Sequence, residues 1–328
     1  HTSSRVRIGI RNVDVPAEFK PKINLVKGTC FLGAEFPLES YPRKVIGSLQ
    51  IHGNPALTSL SQIRTVVVPG KKDEYHAGAE IEIKHCHNIK DLTGFPKFEG
   101  NDLYIEIYKC DNLLSLQGLP EECDGFSAHD LPKLISLKGA PKRVMGTGKF
   151  GNSLSLNNLP ALASLDGVPA VMNGGSINMM LLKCPVGDQL KGKNIKNVTL
   201  ANLSNRSLEK VFDNITFDSA KDTSINISSC NSLTSLEGLP EANYKLFLRS
   251  LPHLHNLVGM PTILHGELHV VECERLKSLD GISSMIEGDA IFASSSITEV
   301  EMAAIGLGDI VQGLSLIHIS EPTRPERI

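Results

Sequence analysis

The sequence predicts a β-rich solenoid, a stack of similar coils that share one parallel β-sheet. Three observations predict it: a motif recurs about every 22 residues, apolar residues keep fixed places within each copy, and a short alternating segment precedes them. The clearest copy runs from Ile225 to Pro240 and ends in Ser-Leu-x-Gly-x-Pro. Self-similarity at this period is typical of repeat proteins, in which each unit buries its apolar face only by stacking on its neighbours.

A Gly-x-Pro step marks the end of each regular copy and predicts a turn, because Gly accepts a positive φ and Pro fixes its own φ. The glycines of the regular copies, including the last, which has lost its Pro, are Gly94, Gly118, Gly139, Gly167, Gly238, Gly259 and Gly281. The gap between Gly167 and Gly238 is close to three periods. We therefore expect two degenerate coils within it, one ending near Cys184 and one around Val198–Leu200.

Counting back from each glycine gives three inward positions. The first, eight residues upstream, is always Cys or Leu, and we call it the Cys/Leu position; Leu or Ile follows five and two residues before the glycine. Before the Cys/Leu position lies a run with period-two alternation, such as Ile105-Glu106-Ile107 or Leu246-Phe247-Leu248, which predicts a strand with one buried face. The regular copies contain no ten-residue amphipathic run, so the outer side of each coil is predicted to be extended or 3₁₀.

The strand segment Leu103-x-Ile105-x-Ile107-x-x-Cys110-x-x-Leu113 resembles the leucine-rich-repeat family in its cysteine-containing form. The Ser-Leu-x-Gly-x-Pro step is also similar to divergent repeats of bacterial and bacteriophage proteins. The resemblance covers about residues 36 to 300. It implies a curved solenoid that binds proteins, and sometimes other ligands, on its concave sheet. The long outer helices of many members of the family are missing from this sequence.

Four segments are predicted. Residues 1–35 form an irregular coil or cap, residues 36–300 the repeat stack, and residues 301–313 a truncated C-terminal segment. Residues 314–328 are interpreted as an artefact, because Leu314–Arg324 reads as the translation of a transposase-type sequencing adaptor. The chain also begins with His1, so we expect a fragment from an assembled metagenome or transcriptome.

Composition limits the partners and the cellular location that we expect for this chain. The 33 basic and 36 acidic residues give a net charge of −3, which predicts no nucleic-acid partner. No run of about 18 apolar residues occurs, so we expect no membrane span. Most of the seven cysteines share the Cys/Leu position, where we expect buried core groups, with Cys184 among them. Unpaired buried thiols favour a reducing, intracellular compartment, with the cell surface or secretion as the alternative.

No sequence motif indicates catalysis. A glycine-rich phosphate loop, His-Glu-x-x-His and Gly-x-Ser-x-Gly are all absent from the sequence, and no Cys-x-x-Cys pair occurs. We therefore expect no enzyme, no metal site and no cofactor.

The outward residues of the strands, six, four and two before the Cys/Leu position, are the predicted binding face. Two stretches combine aromatic and charged residues, as protein interfaces do: Glu80, Glu82, Lys84, Tyr104, Glu106 and Tyr108 in one, and Lys245, Phe247, Arg249, Glu267 and His269 in the other. The predicted function is binding of a protein partner on the concave sheet. The alternatives are a structural spacer and a carbohydrate-binding surface protein that stacks sugars on Tyr104, Tyr108 and Phe247. Charge reversal at Glu80, Glu82 and Glu106 is expected to weaken partner binding without unfolding.

Overall fold

The computed structural model describes residues 24–34, 37–70, 78–145, 154–217, 223–293, 296–297 and 311. These residues form a parallel β-solenoid with almost no helix, so the predicted fold class is confirmed. Short 3₁₀ helices occur at Leu38–Ser40, Leu60–Gln62 and Asp188–Leu190. The chain divides into two compact units, His1–Gly175 and Ser176–Ile328, described here as unit 1 and unit 2.

Within the described ranges, twenty-one strands build the coils. Those that begin in unit 1 are β1 (Leu25–Lys27), β2 (Cys30–Leu32), β3 (Lys44–Ile46), β4 (Leu49–His52), β5 (Val66–Val68), β6 (Ala79–Lys84), β7 (Lys97–Phe98), β8 (Leu103–Tyr108), β9 (Glu122–Cys123), β10 (Gly125–His129), β11 (Arg143–Val144), β12 (Leu154–Leu159) and β13 (Val171–Leu182). Those in unit 2 are β14 (Asn194–Ala201), β15 (Thr216–Phe217), β16 (Ser224–Ser228), β17 (Lys245–Arg249), β18 (Ile263–Leu264), β19 (Leu268–Val271), β20 (Met285–Ile286) and β21 (Ala290–Ala293).

The main strands of each unit stack side by side in one parallel sheet, the long-strand sheet. Its order is β2-β4-β6-β8-β10-β12 in unit 1 and β14-β16-β17-β19-β21 in unit 2. Register is strict, so that Ile81 pairs with Ile105 and Leu246 with Leu268. Strands β13 and β14 occupy the gap between Gly167 and Gly238, which confirms the two degenerate coils.

The outer side of the coils is extended or 3₁₀, as predicted, and its short strands also pair with one another. In unit 1 the order is β1-β3-β5-β7 in one small sheet, and β9 pairs with β11 in another; in unit 2 β18 pairs with β20. These parallel pairs satisfy backbone groups that a helix would otherwise satisfy internally.

The inward positions form the core. Cys110, Leu113 and Leu116 have no exposed surface, and the equivalent residues of the other regular coils are almost as fully buried. The thiol of Cys110 donates weakly to the carbonyl oxygen of Ile83 in the preceding coil, with the sulphur 3.8 Å away. Burial raises the pKa of Cys110 to about 12, so the thiol stays protonated and unreactive in the folded chain.

One prediction about the cysteines is wrong. In the regular coils the residue before the Cys/Leu position has a positive φ, as at Lys109 and Ser229. In the degenerate coil that residue is Leu181, so Leu182 holds the Cys/Leu position. Cys184 lies two residues further on, although it too is buried. All seven cysteines are buried and free.

The corner glycine of each coil lies against the coil before it. Gly118 has a φ of +111°, and a Cβ added there would overlap the carbonyl group of Leu92. The serine three residues upstream stabilises the same turn, because the Ser115 hydroxyl accepts a hydrogen bond from the backbone N–H of Gln117 at 3.1 Å. The recurring Ser-Leu-x-Gly is therefore a structural corner set by turn chemistry and close packing.

Coil length varies in one place. From the Cys/Leu position to the glycine every regular coil has the same number of residues. The link between a short strand and the next long strand differs: it is the single residue Asp124 between β9 and β10, and residues 145–153 between β11 and β12. Differences in period are therefore absorbed before the long strand begins.

The predicted end segments are described only in part. Strands β1 and β2 lie within the predicted N-terminal segment 1–35 and pair with the next coil. Of residues 301–313 only Val311 is described, in a parallel bridge with Ile286, and residues 314–328 lie outside the described residues. Within the described part of the chain, no helix has the length and apolar character needed to cross a membrane.

Candidate functional site

The first predicted stretch forms one continuous surface on unit 1, which we call the acidic face. It consists of Glu80, Glu82 and Lys84 from β6 and Tyr104, Glu106 and Tyr108 from β8. Because alternate residues of a strand point to the same side, all six side chains leave the sheet together. The register places Glu80 beside Tyr104, Glu82 beside Glu106, and Lys84 beside Tyr108.

Glu82 is the centre of the ion pairs on this face. Its carboxylate accepts a hydrogen bond from the imidazole of His52 on β4, and its other oxygen lies 2.8 Å from the Lys84 ammonium. Lys84 also reaches Glu106, with its nitrogen 3.5 Å from a carboxylate oxygen. Only 5% of Glu82 is exposed, which makes it a buried charge that depends on its partners.

The two tyrosines are engaged rather than free. The hydroxyl groups of Tyr104 and of Ser127 on β10 are hydrogen-bonded, with 2.5 Å between their oxygens. The ammonium groups of Lys84 and Lys109 lie 5.6 Å and 5.0 Å from the centre of the Tyr108 ring. These distances are within the range of cation–π attraction.

Three carboxylates of the acidic face crowd together. Ligand atoms of Glu80, Glu82 and Glu106 all lie within 4.8 Å of one another. Burial, together with the charges of Glu82 and Glu106, raises the pKa of Glu80. Burial also raises the pKa of Glu106, and the nearby Lys84 offsets part of the effect. For Glu82 burial acts in the same direction, but the hydrogen bonds from His52 and Lys84 outweigh it and lower its pKa.

The second predicted stretch lies on unit 2, and we call it the balanced face. It consists of Lys245, Phe247 and Arg249 from β17, His269 from β19, and Glu267, which directly precedes β19. The Glu267 carboxylate lies 3.0 Å from the Lys245 ammonium and 3.0 Å from the His269 imidazole. The rings of Phe247 and His269 pack with their centres 4.6 Å apart.

Charges on the balanced face are matched. The hydrogen bond from Lys245 lowers the pKa of Glu267 despite some burial, and His269 contributes in the same direction. Arg249 is turned to the edge of the strand, where its Nε lies 3.3 Å from a carboxylate oxygen of Glu272. Arg249 therefore belongs to a separate exposed ion pair, which contributes little to stability.

The sequence places His52 and Ser127 among the outward residues of the predicted binding face, but not in the two stretches selected as candidate sites. His52 and Ser127 stand on the neighbouring strands β4 and β10, and each holds a central side chain of the face. The signal was present in the register, because His52 pairs with Lys84 and Ser127 with Glu106. Composition alone selected the aromatic and acidic residues and passed over the histidine and the serine.

The arrangement can present charge and hydrogen-bonding groups to a ligand. Glu80, Glu82 and Glu106 are the group of three potential metal ligands found among the described residues. An ammonium group already lies against two of the three carboxylates, so Lys84 supplies the positive charge that an ion would otherwise bring.

Compared with known proteins, the chain matches no family model, no curated protein and no solved structure.

Proposed function

We propose that this chain is a non-enzymatic module that binds a protein partner through the outward face of its long-strand sheet. The observation that carries the proposal is the acidic face itself. In a chain with only 5% aromatic residues, two neighbouring strands place two tyrosines, three glutamates and a lysine on one surface in strict register. Aromatic side chains surrounded by charged groups are characteristic of the residues that dominate protein interfaces.

The proposal includes membership of a divergent, cysteine-containing branch of the leucine-rich-repeat proteins. The pattern of β8 and Cys110 supports it, since the strand is followed by a buried cysteine whose thiol bonds to the preceding coil. The short paired strands on the outer side replace the helices that many members of that family carry. The proposed membership is therefore supported only by the strand side of each coil.

Contacts around the tyrosines favour a protein ligand over a carbohydrate. A sugar would stack on an open aromatic face, but two lysine ammonium groups lie over the ring of Tyr108. Phe247 likewise packs against His269. The carbohydrate alternative is tested on a glycan array with the wild-type chain and Tyr108→Ala; specific glycan binding that this change abolishes would replace the protein-binding proposal.

A structural spacer is the other alternative, and the crowded charges of the acidic face argue against it. A spacer needs only the inward positions, and nothing in stacking requires three carboxylates to crowd together with one lysine in contact with two of them. Crowding of like charges opposes folding, so its presence on the acidic face favours a role for the charge itself.

The experiment compares two charge-neutralised variants in selections from a random peptide library displayed on phage. The double variant Glu80→Gln/Glu106→Gln removes two charges from the acidic face. Glu121→Gln/Glu122→Gln removes two from the opposite side of the same coils, where both residues form exposed ion pairs. We expect peptides rich in Lys and Arg to bind wild type and the second variant, and to lose binding to the first.

Equal recovery with both variants would overturn the proposed site. Charge reversal at Glu82, which the sequence suggested as an equivalent test, is unsuitable. Lysine at that position would be buried beside Lys84 and His52, so loss of binding would reflect loss of structure.

A further inference from the structure

The three carboxylates of the acidic face are held together by the sheet, which fixes their separation. Glu82 and Glu106 are register partners on adjacent strands, and Glu80 lies two residues before Glu82 on the same side of β6. Their oxygens approach within 4.8 Å of one another. Because the long-strand sheet is hydrogen-bonded on both sides of β6, the strands cannot separate to relieve the repulsion.

Hydrogen-bond donors and the positive charge of Lys84 are distributed unequally over the three. Glu82 takes the His52 imidazole and the nearer contact of Lys84, while Glu106 shares Lys84 at 3.5 Å. Among the described residues, the Glu80 carboxylate has no ion-pair partner. Its backbone N–H donates to the Ser48 hydroxyl, and the charge of Lys84 acts on its side chain without a direct contact.

We propose that Glu80, Glu82 and Glu106 titrate as one coupled cluster that retains a shared proton in mildly acidic solution and releases it toward neutrality, so that pH sets the charge of the acidic face. Carboxylates fixed this close cannot all ionise independently. The proton resides on Glu80 or Glu106, because the oxygens of Glu82 are occupied by two donors. The raised pKa values of Glu80 and Glu106, and the lowered one of Glu82, agree with this division.

Other titratable groups face the cluster from each neighbouring strand. His52 approaches from β4, Lys84 from β6 itself, Tyr104 and Tyr108 from β8, and His129 from β10. Burial raises the pKa of Tyr104, so this phenol stays neutral throughout the range. Burial lowers the pKa of His129, whose ring nitrogen is hydrogen-bonded to Ser155 at 3.0 Å. Lys84 remains charged, because Glu82 and Glu106 outweigh its burial and raise its pKa.

The consequence for binding rests on the proposed function. Loss of the shared proton adds a negative charge to the face, so a partner that presents Lys or Arg would bind more tightly toward neutral pH and be released on acidification. The titration itself exists whether or not a partner does.

The test is a carbon-13 NMR titration of the full chain labelled at the glutamate carboxyl carbons, which separates the carboxyls from the imidazoles. Resonances are assigned with Glu80→Gln, Glu82→Gln and Glu106→Gln. We expect the resonances of Glu80 and Glu106 to titrate above the ordinary glutamate range, each sensing the other. In Glu80→Gln the midpoint of Glu106 should move to lower pH.

Glu267→Gln is the matched control, because Glu267 occupies on β19's coil the position that Glu80 occupies on β6's coil, six residues before the cysteine. It should leave the midpoints of the acidic face unchanged. Independent titration of all three carboxyls at or below ordinary values, or an unchanged Glu106 midpoint in Glu80→Gln, would overturn the cluster. Intact coupling together with failed peptide selection would reject the proposed function alone.

Discussion

The acidic face of unit 1 and the balanced face of unit 2 occupy the same positions of the repeat and differ in how their charge is compensated. Glu80 and Glu267 both lie six residues before a cysteine of the core. Glu267 is compensated by Lys245 and His269, whereas Glu80 has two further carboxylates beside it. The pKa of Glu267 is lowered and that of Glu80 is raised.

The difference arises from two neighbouring positions rather than from the scaffold. On the acidic coil the next outward residue is Glu82, and on the balanced coil it is His269. On the acidic face the following strand, β8, supplies Glu106. On the balanced face the preceding strand, β17, supplies Lys245. One backbone arrangement thus carries a repulsive cluster and a neutral one, and the outward positions alone decide which.

The largest expected effect tests whether the two units share one scaffold. Gly118→Ala and Gly259→Ala should each lower the free energy of unfolding by about 3 kcal/mol, because a Cβ at a positive φ is strained and would also overlap the preceding coil. Chemical denaturation measures both. Gly192 is the control: it has a φ of +68° with open space around it, so Gly192→Ala should cost only about 1 kcal/mol. A large difference between Gly118→Ala and Gly259→Ala would show that the two corners are not equivalent.

The second prediction compares the carboxylates with the most contacts on each face. Glu82→Ala should destabilise by about 2 kcal/mol, because it leaves His52 and Lys84 without their main acceptor beside a buried site. Glu267→Ala removes an ion pair that is a third exposed and should cost less than about 1 kcal/mol. Chemical denaturation at neutral pH measures the free energy of unfolding of both variants. Equal losses of stability would mean that burial does not explain the difference between Glu82 and Glu267.

The third prediction concerns pH. The folded pKa values of Glu80 and Glu106 are raised, so their contribution to stability is full below the ordinary glutamate value and is lost as pH rises through the raised values. The pKa of Glu267 is lowered, so its contribution is present above the ordinary value and is lost as pH falls through the lowered one. Thermal melts from neutral to mildly acidic pH should therefore show that Glu80→Gln/Glu106→Gln removes a gain on acidification, and that Glu267→Gln does not.

The smallest effect has opposite signs on the two faces. At neutral pH Glu80→Gln relieves repulsion and should stabilise by roughly 0.5 kcal/mol, whereas Glu267→Gln should destabilise by a similar amount. Added salt should reduce both changes, because neither carboxylate is fully buried and salt screens part of each charge. Destabilisation by Glu80→Gln would indicate that its carboxylate has a favourable partner.

The architecture was predictable because stacking imposes the same requirement on every coil. Cys110, Leu113 and Leu116 are buried where the count from Gly118 places them. The contacts of the faces were not predictable from one coil, since they depend on register: His52 reaches Glu82 from another strand thirty residues away. Irregular coils were harder still: Cys184 does not hold its expected position, because the residue with the positive φ is Leu181 and Leu182 follows it.

The link between each short strand and the following long strand has a consequence for engineering. It ranges from the single residue Asp124 to residues 145–153, while the path from the long strand to the corner keeps its length. Added sequence is therefore accommodated at that link. A fluorophore, an affinity tag or a whole inserted domain placed between Val144 and Leu154 should leave the register of both flanking strands intact. This link is therefore the place to label or extend the chain.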